Sequence, residues 1–302
     1  MNPNTKSSFH LRFNKYWYAG LLIAFLLLAG AIRDFSNSMF FHKQNRINVL
    51  FYSSNTRYYS FGIDDTVNYN MSFFPDLKMR VLGGYGYYRI GALGKLIHLE
   101  HNPYIFKKAF SYATASFVDY YFYPDSDEIY YGMKELDPNI TPKLTEIFLQ
   151  KSNASFFDRL YLFFMFSRLN PEQYKTLRGI PYEKKGDDVV FLENDFKKSN
   201  GGYFYDKKFR EEKKEVQVIY SEYYGNASAV SNILEGSGIR VSDISEAEKP
   251  EKHCIVKEQA EVFSETAKEL ARFFQCSLEK GSSDIYDIIF ILGDREKEWA
   301  SK

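Results

Sequence analysis

The chain has 302 residues, 45 % hydrophobic and 26 % charged, a globular balance whose length suggests two domains of ordinary size. Lysine plus arginine equals aspartate plus glutamate at 39 each, so the net charge of zero excludes a nucleic-acid binder that works through an overall basic surplus. Cys254 and Cys276 are the two cysteines and neither sits in a C-x-x-C pair, which excludes a zinc ribbon; the residues alone leave two buried thiols and one disulfide equally open.

Residues 1–15 carry Lys6, Arg12 and Lys15 and no acid. The following uncharged run, Tyr16–Ile32, covers about 26 Å as a helix, close to the ~30 Å hydrocarbon core of a bilayer. Tyr16, Trp17 and Tyr18 form an aromatic belt at one end, and Lys15 and Arg33 flank the run. The Lys/Arg count ties at three on each side, so charge does not set the orientation. A retained signal anchor with 1–15 inside and the bulk exported is the simpler expectation. Cleavage at Ala29-Gly30-Ala31 is the alternative.

Residues 33–45 form a juxtamembrane spacer, and an α/β domain is expected over 46–200. Ile47–Tyr52 reads as a buried strand, and residues 66–74 alternate as a half-buried one. Gly83-Gly84-Tyr85-Gly86 marks a turn, followed by a helix over 89–101 with Ile90, Leu93 and Ile97 on one face. Pro103 opens a second helix over 104–115, and 117–123 reads as a strand. Residues 141–169 read as helical. Their apolar patch, Leu160–Phe166, is too short to cross a membrane and predicts a buried helix.

The charged, Gly-Gly-containing stretch around 201–215 predicts a linker. Beyond it, 216–302 reads as a small α/β layer. Strands are expected at 216–220, 239–244, 254–258 and 285–292. A short helix is expected at 227–234 and an amphipathic helix at 263–274, with Ser264 as its N-cap.

Arg57, Arg80 and Arg89 lie near the glycine-rich turn that contains Tyr85, and guanidinium groups grip phosphates in bidentate fashion. Asp64 and Asp65 have the chemistry to hold Mg²⁺ beside a phosphate. Solvated surface charge and a plain turn are the competing readings. His98, Glu100 and His101 are not in H-E-x-x-H order and read as solvent-facing helix. No nucleophile motif is present, so no catalytic residue is assigned.

The segments VQVIYSEYYGNASAVSNILEGSGIRV, CIVKEQAEVFSETAKELARFF and DIYDIIFILGDREKEW resemble the LytR C-terminal domain. Gly225, Ala227, Gly238, Ala267, Leu270, Ala271, Leu292, Gly293 and Asp294 carry the likeness. Residues 46–200 resemble, more remotely, the LytR-CpsA-Psr domain that often precedes it, through RVLGGYGYYRIGALGKL and ATASFVDYYFYP. The resemblance implies an N-terminal anchor, a divergent α/β domain, a small α/β C-terminal domain and an extracytoplasmic place in the cell envelope. It implies partners among wall glycopolymers, polyprenyl-linked precursors and envelope proteins. Only Arg89 matches a basic position of that family. The family's R-x-D-T signature has no counterpart here, so binding without catalysis is expected. An active transferase moving polyprenyl-pyrophosphate-linked glycopolymer to the wall, with Mg²⁺, is the alternative.

Overall fold

A computed structural model describes residues 15–41, 44–133, 141–249, 251–281 and 285–300. The expected inner tail with Lys6 and Arg12, the spacer residue Lys43, and the side chains of Tyr16 and Trp17 lie outside the described residues. The expected anchor segment is helical in α1 (Lys15–Ser36), yet among the described residues no helix is long and apolar enough to cross a membrane.

The N-terminal unit begins with an antiparallel meander of β1 (Arg46–Phe51), β2 (Thr56–Gly62) and β3 (Asn68–Phe73). A hairpin of β4 (Leu77–Val81) and β5 (Gly86–Arg89) follows. Helices α2 (Leu93–Glu100) and α3 (Tyr104–Thr114) then carry the chain back, so that β6 (Tyr120–Tyr123) runs parallel to β1. Next come α4 (Leu144–Leu149), β7 (Lys151–Ser152), α5 (Phe156–Arg168), β8 (Tyr174–Thr176), β9 (Tyr182–Lys185), β10 (Asp188–Phe191) and α6 (Glu193–Asn200). The strands form a six-stranded sheet in the order β7-β6-β1-β2-β3-β8 and a four-stranded sheet in the order β5-β4-β10-β9.

The six-stranded sheet is covered on both faces. Tyr58, Leu50 and Met71 face a core shared with α2, α3 and the four-stranded sheet. Tyr59, Phe61 and Phe51 face a second core under α4 and α5. All seven residues of β2 are therefore buried, and its sequence, TRYYSFG, shows no polar-apolar alternation. That is why no strand was expected there. Ile90, Leu93 and Ile97 are buried as expected. Helix α5 is buried on one side only. Leu162 and Phe166 face the core, but Phe156 and Phe164 are exposed.

Residues 201–215, expected as a linker, are folded into the molecule. Helix α7 (Lys207–Glu212) is N-capped by Asp206, and Phe204 and Phe209 are buried. Arg46 Nε donates to Tyr205 O at 3.0 Å, and Asp206 N donates to Ser237 O at 3.0 Å. Apart from the buried Asp206, the charges of this stretch sit toward the surface, while its two phenylalanines anchor it to the two units it joins.

The C-terminal unit comprises β11 (Glu215–Tyr220), α8 (Tyr224–Gly236), β12 (Arg240–Glu246), β13 (Ile255–Glu258), α9 (Glu265–Phe274), β14 (Ser277–Lys280) and β15 (Ile288–Ile291). Its sheet order is β12-β11-β15-β13-β14, with β13 antiparallel to β15 and the other pairs parallel. Ser264 caps α9 by accepting from Ala267 N at 3.1 Å, as its position predicts. Cys254 and Cys276, at the entrances to β13 and β14, have Cα atoms 4.8 Å apart and are disulfide-bonded. The two units share a continuous core. Phe117 stacks on Phe273 at 4.3 Å, and Leu82 packs among the C-terminal residues.

Candidate functional site

The basic residues singled out in the sequence land on two different sheets. Arg57 is buried on the α4 side of the six-stranded sheet, ion-paired to Glu146. Arg80 and Arg89 lie in the β4–β5 hairpin, where Lys78 is paired with Arg89 and Arg80 with Tyr87. Alternation along the strands puts these side chains on one face, opposite the buried Leu77, Met79 and Val81. Arg80 donates to Tyr87 Oη at 3.0 Å and lies over its ring. Arg89 lies 3.8 Å from Asp76 and over the ring of Tyr131.

The glycine-rich segment forms a closed turn, in line with the plain-turn reading. Gly83 and Gly84, both at positive φ, direct their N–H groups onto Ala300 O at 2.9 and 3.5 Å. Donors committed to a carbonyl are not available to an anion. Tyr85 donates its hydroxyl to Glu100 at 3.0 Å. Asp64 and Asp65 follow β2, whereas Arg57 sits near its start, five residues or about 16 Å along the strand from Gly62. Asp65 accepts from Arg46 at 2.9 Å and from Val67 N at 3.0 Å, which fixes it in the turn. This pair does not fit a Mg²⁺ site, and among the described residues no group of three or more His, Cys, Asp or Glu could hold a metal ion.

The structure gathers other charged residues at the seam between the units. Asp119 Oδ2 accepts from Asn48 N at 2.8 Å, and its Oδ1 lies 3.6 Å from Arg272. Arg272 is also held by Glu269 through two contacts, at 2.9 and 2.6 Å. Lys107, buried on α3, places its ammonium 3.9 Å from the centre of the Phe273 ring. Burial raises the Asp119 carboxyl to about 6 even with Arg272 beside it, and burial, reinforced by Arg272, lowers the Lys107 ammonium to about 8. Beside them, Gln44, Asn48, Asp119 and Asp206 line a cavity of about 20 Å³. Gln44 Oε1 and Asn48 Oδ1 have no protein partner, and the space fits one bridging water. This is a polar seam too small for a substrate.

Among the described residues are two larger open grooves. One, of about 490 Å³, lies between α5 and the turn after β2. It is lined by Phe40, Phe61, Ile63, Tyr161, Phe164 and Arg168, among others. The other, of about 550 Å³, runs between α7 and β12. Its cations are Arg210, Lys213, Lys214 and Arg240, its acid is Glu235, and its apolar floor is Phe209, Ile239 and Val241. Arg210 stacks over Tyr205 at 3.7 Å, Arg240 meets Glu215 at 2.8 Å, and Lys214 meets Glu258 at 3.1 Å. Sequence reasoning passed over this second groove. The cation density of KKFREEKK was legible, but it reads equally well as linker composition.

No family model matches the chain, and no curated protein does. Solved structures to which it is similar include TagV of B. subtilis, at 10 % identity and a TM-score of 0.36, with 52 % of this chain and 94 % of that chain covered. B. subtilis TagT is 15 % identical at a TM-score of 0.35, with 52 % and 88 % covered. The LytR-CPS2A-psr family protein YwtF (TagT), solved with bound octaprenyl pyrophosphate lipid, is 14 % identical at 0.34, with 54 % and 91 % covered. Likeness of this size assigns neither family membership nor activity to this chain.

Proposed function

We propose that this is a membrane-anchored, extracytoplasmic envelope protein that binds an anionic wall glycopolymer without catalysing its transfer. The observation that carries the reading is the dispersal of the candidate pyrophosphate ligands. Arg57 is tied to Glu146, Arg80 and Arg89 occupy the outer face of another sheet, and the glycine turn donates to Ala300. Phosphoryl chemistry needs cations and metal converging on one reacting centre. The groove between α7 and β12 is lined by four cations, two of them already paired with Glu215 and Glu258, and one acid over an apolar floor, which suits a sugar polymer carrying negative charge.

The anchor is part of the proposal. Helix α1 has 22 residues, about 33 Å of axial length, and its large apolar side chains from Leu21 to Leu28 are each 55–69 % exposed. Each such side chain gains about 1.5–3 kcal/mol on leaving water, which makes lipid the natural solvent for this surface. The Cys254–Cys276 bond fits an oxidising compartment outside the cytosol.

The test uses the full chain in vesicles with purified anionic wall glycopolymer, its lipid-linked form and peptidoglycan. Expected are salt-sensitive binding of free polymer and no transfer to peptidoglycan. A transfer rate that falls at least tenfold in Arg89→Ala would replace this reading with a transferase.

A further inference from the structure

Helix α5 is apolar on faces that the fold does not cover. Leu162 and Phe166 pack into the core, yet the four-residue spacing Phe156, Leu160, Phe164 and Arg168 forms a second stripe on the outside. Phe156 and Phe164 on that stripe are 61 % and 45 % exposed. A surface helix normally turns a polar face outward. The apolar groove beside α5 opens along the same stripe, with Ile63 on its far wall.

This surface is fixed relative to α1. Met39 N donates to the buried Asp158 of α5 at 2.9 Å, so the chain leaving α1 is bonded directly to α5. The Phe35 ring lies 4.9 Å from Phe157 and 5.0 Å from Phe41, and the Phe40 ring lies 5.3 Å from Tyr161. Phe35 is three residues past Ile32, about 4.5 Å along the axis, and the headgroup zone of one leaflet is roughly 5–8 Å deep. With the apolar run of α1 in hydrocarbon, these rings fall within the headgroup zone, where aromatic side chains settle.

We propose that the α5 face is itself a membrane-contacting surface, with Phe41, Phe156 and Phe164 inserted among lipid headgroups and Arg33 and Arg168 on lipid phosphates. The bilayer then holds the body of the protein in one orientation rather than at the end of a free tether. The proposal rests on α1 being an anchor, and the test separates the two.

The existing cysteines are bonded to each other, so a single introduced cysteine can be labelled selectively. Leu26→Cys, Phe164→Cys and Val262→Cys variants of the full chain each receive an environment-sensitive fluorophore. They are reconstituted in vesicles of phosphatidylcholine and phosphatidylglycerol containing lipids spin-labelled either near the headgroup, to read position 164, or deep in the acyl chain, to read position 26. Val262, exposed before α9 in the C-terminal unit, is the control. Expected is a blue-shifted emission at position 164 and quenching several-fold above that at 262. Quenching at 26 with position 164 matching 262 overturns the contact face and leaves the anchor standing. Three unquenched positions overturn the anchor and the contact face together.

Discussion

The groove beside α5 is walled by Phe40, Ile63 and Phe164, whereas the groove between α7 and β12 is walled by Arg210, Lys213 and Arg240. They are close in volume and opposite in chemistry. The first adjoins the end of α1 and offers a single cation, Arg168. The second belongs to the C-terminal unit and the segment leading into it. The proposed reading gives the two grooves separate partners, lipid for one and a polyanion for the other. A bridge from membrane to polymer needs no reacting centre, only that the seam hold the two surfaces in a fixed relation.

Breaking the attachment of the lipid-facing region has the largest expected effect. Asp158 is buried and accepts from Met39 N at 2.9 Å and from Ser155 N at 3.2 Å, so one carboxylate fixes both the exit of α1 and the start of α5. Asp158→Ala removes two charge-assisted bonds and is expected to cost about 3 kcal/mol, read as a lowered urea midpoint. In vesicles the same variant should lose headgroup quenching at position 164 while keeping acyl-chain quenching at position 26. The C-terminal unit has its own staple. Opening the Cys254–Cys276 bond, which spans 22 residues, by Cys254→Ser with Cys276→Ser is expected to cost about 3 kcal/mol by the chain-entropy argument. That variant should leave the quenching pattern intact.

The seam gives a pH dependence with a definite sign. The Asp119 carboxyl is raised to about 6 by burial, above its ordinary value near 4. The folded protein therefore holds the proton more tightly than the unfolded chain between pH 4 and pH 6. Stability is present at the acid end of that window and falls as pH rises through it, by about 1–3 kcal/mol. Lys107 is lowered to about 8, so the folded state binds fewer protons above that value, and stability recovers as pH rises toward 10. Urea midpoints across pH 4–10 should pass through a minimum near neutrality. Asp119→Asn should flatten the acid limb, and an unchanged acid limb would mean that Asp119 is not the group responsible.

How far the sequence revealed all this differs between the units for physical reasons. In the C-terminal unit, strands are short apolar runs separated by turn residues, and α9 buries Ala267, Leu270, Phe273 and Phe274 on one stripe, so periodicity locates most elements. Even there β14, SLEK, is an edge strand with almost no apolar residue and escaped notice. In the N-terminal unit, β2 is buried on both faces and lacks the alternation that marks a half-buried strand. The packing of 201–215 was hidden because two residues, Phe204 and Phe209, bind a highly charged segment to both cores. The candidate site was the least legible part. Arg57, Arg80 and Arg89 are neighbours in sequence, but a strand passing from one sheet to the next separates them, and no local pattern records which sheet receives each one.

The smallest effect expected is also the most direct probe of the basic groove. Lys213 holds the left-handed position after α7 with a φ of 54°, and Arg240 is well exposed at the start of edge strand β12. Lys213→Glu with Arg240→Glu changes the groove from four cations and one acid to two cations and three acids. The Arg240 replacement also faces Glu215 across the strand pair. Neither side chain is buried, so folding should be little affected, with a stability change within about 1 kcal/mol. Affinity for anionic wall glycopolymer should fall about tenfold at low salt, and the gap between variant and parent should narrow as ionic strength rises and screens both. Neutral dextran bound equally by parent and variant would leave the charge argument in place. Anionic polymer bound equally by both would remove the groove from the binding site and, with it, the functional opposition between the two grooves.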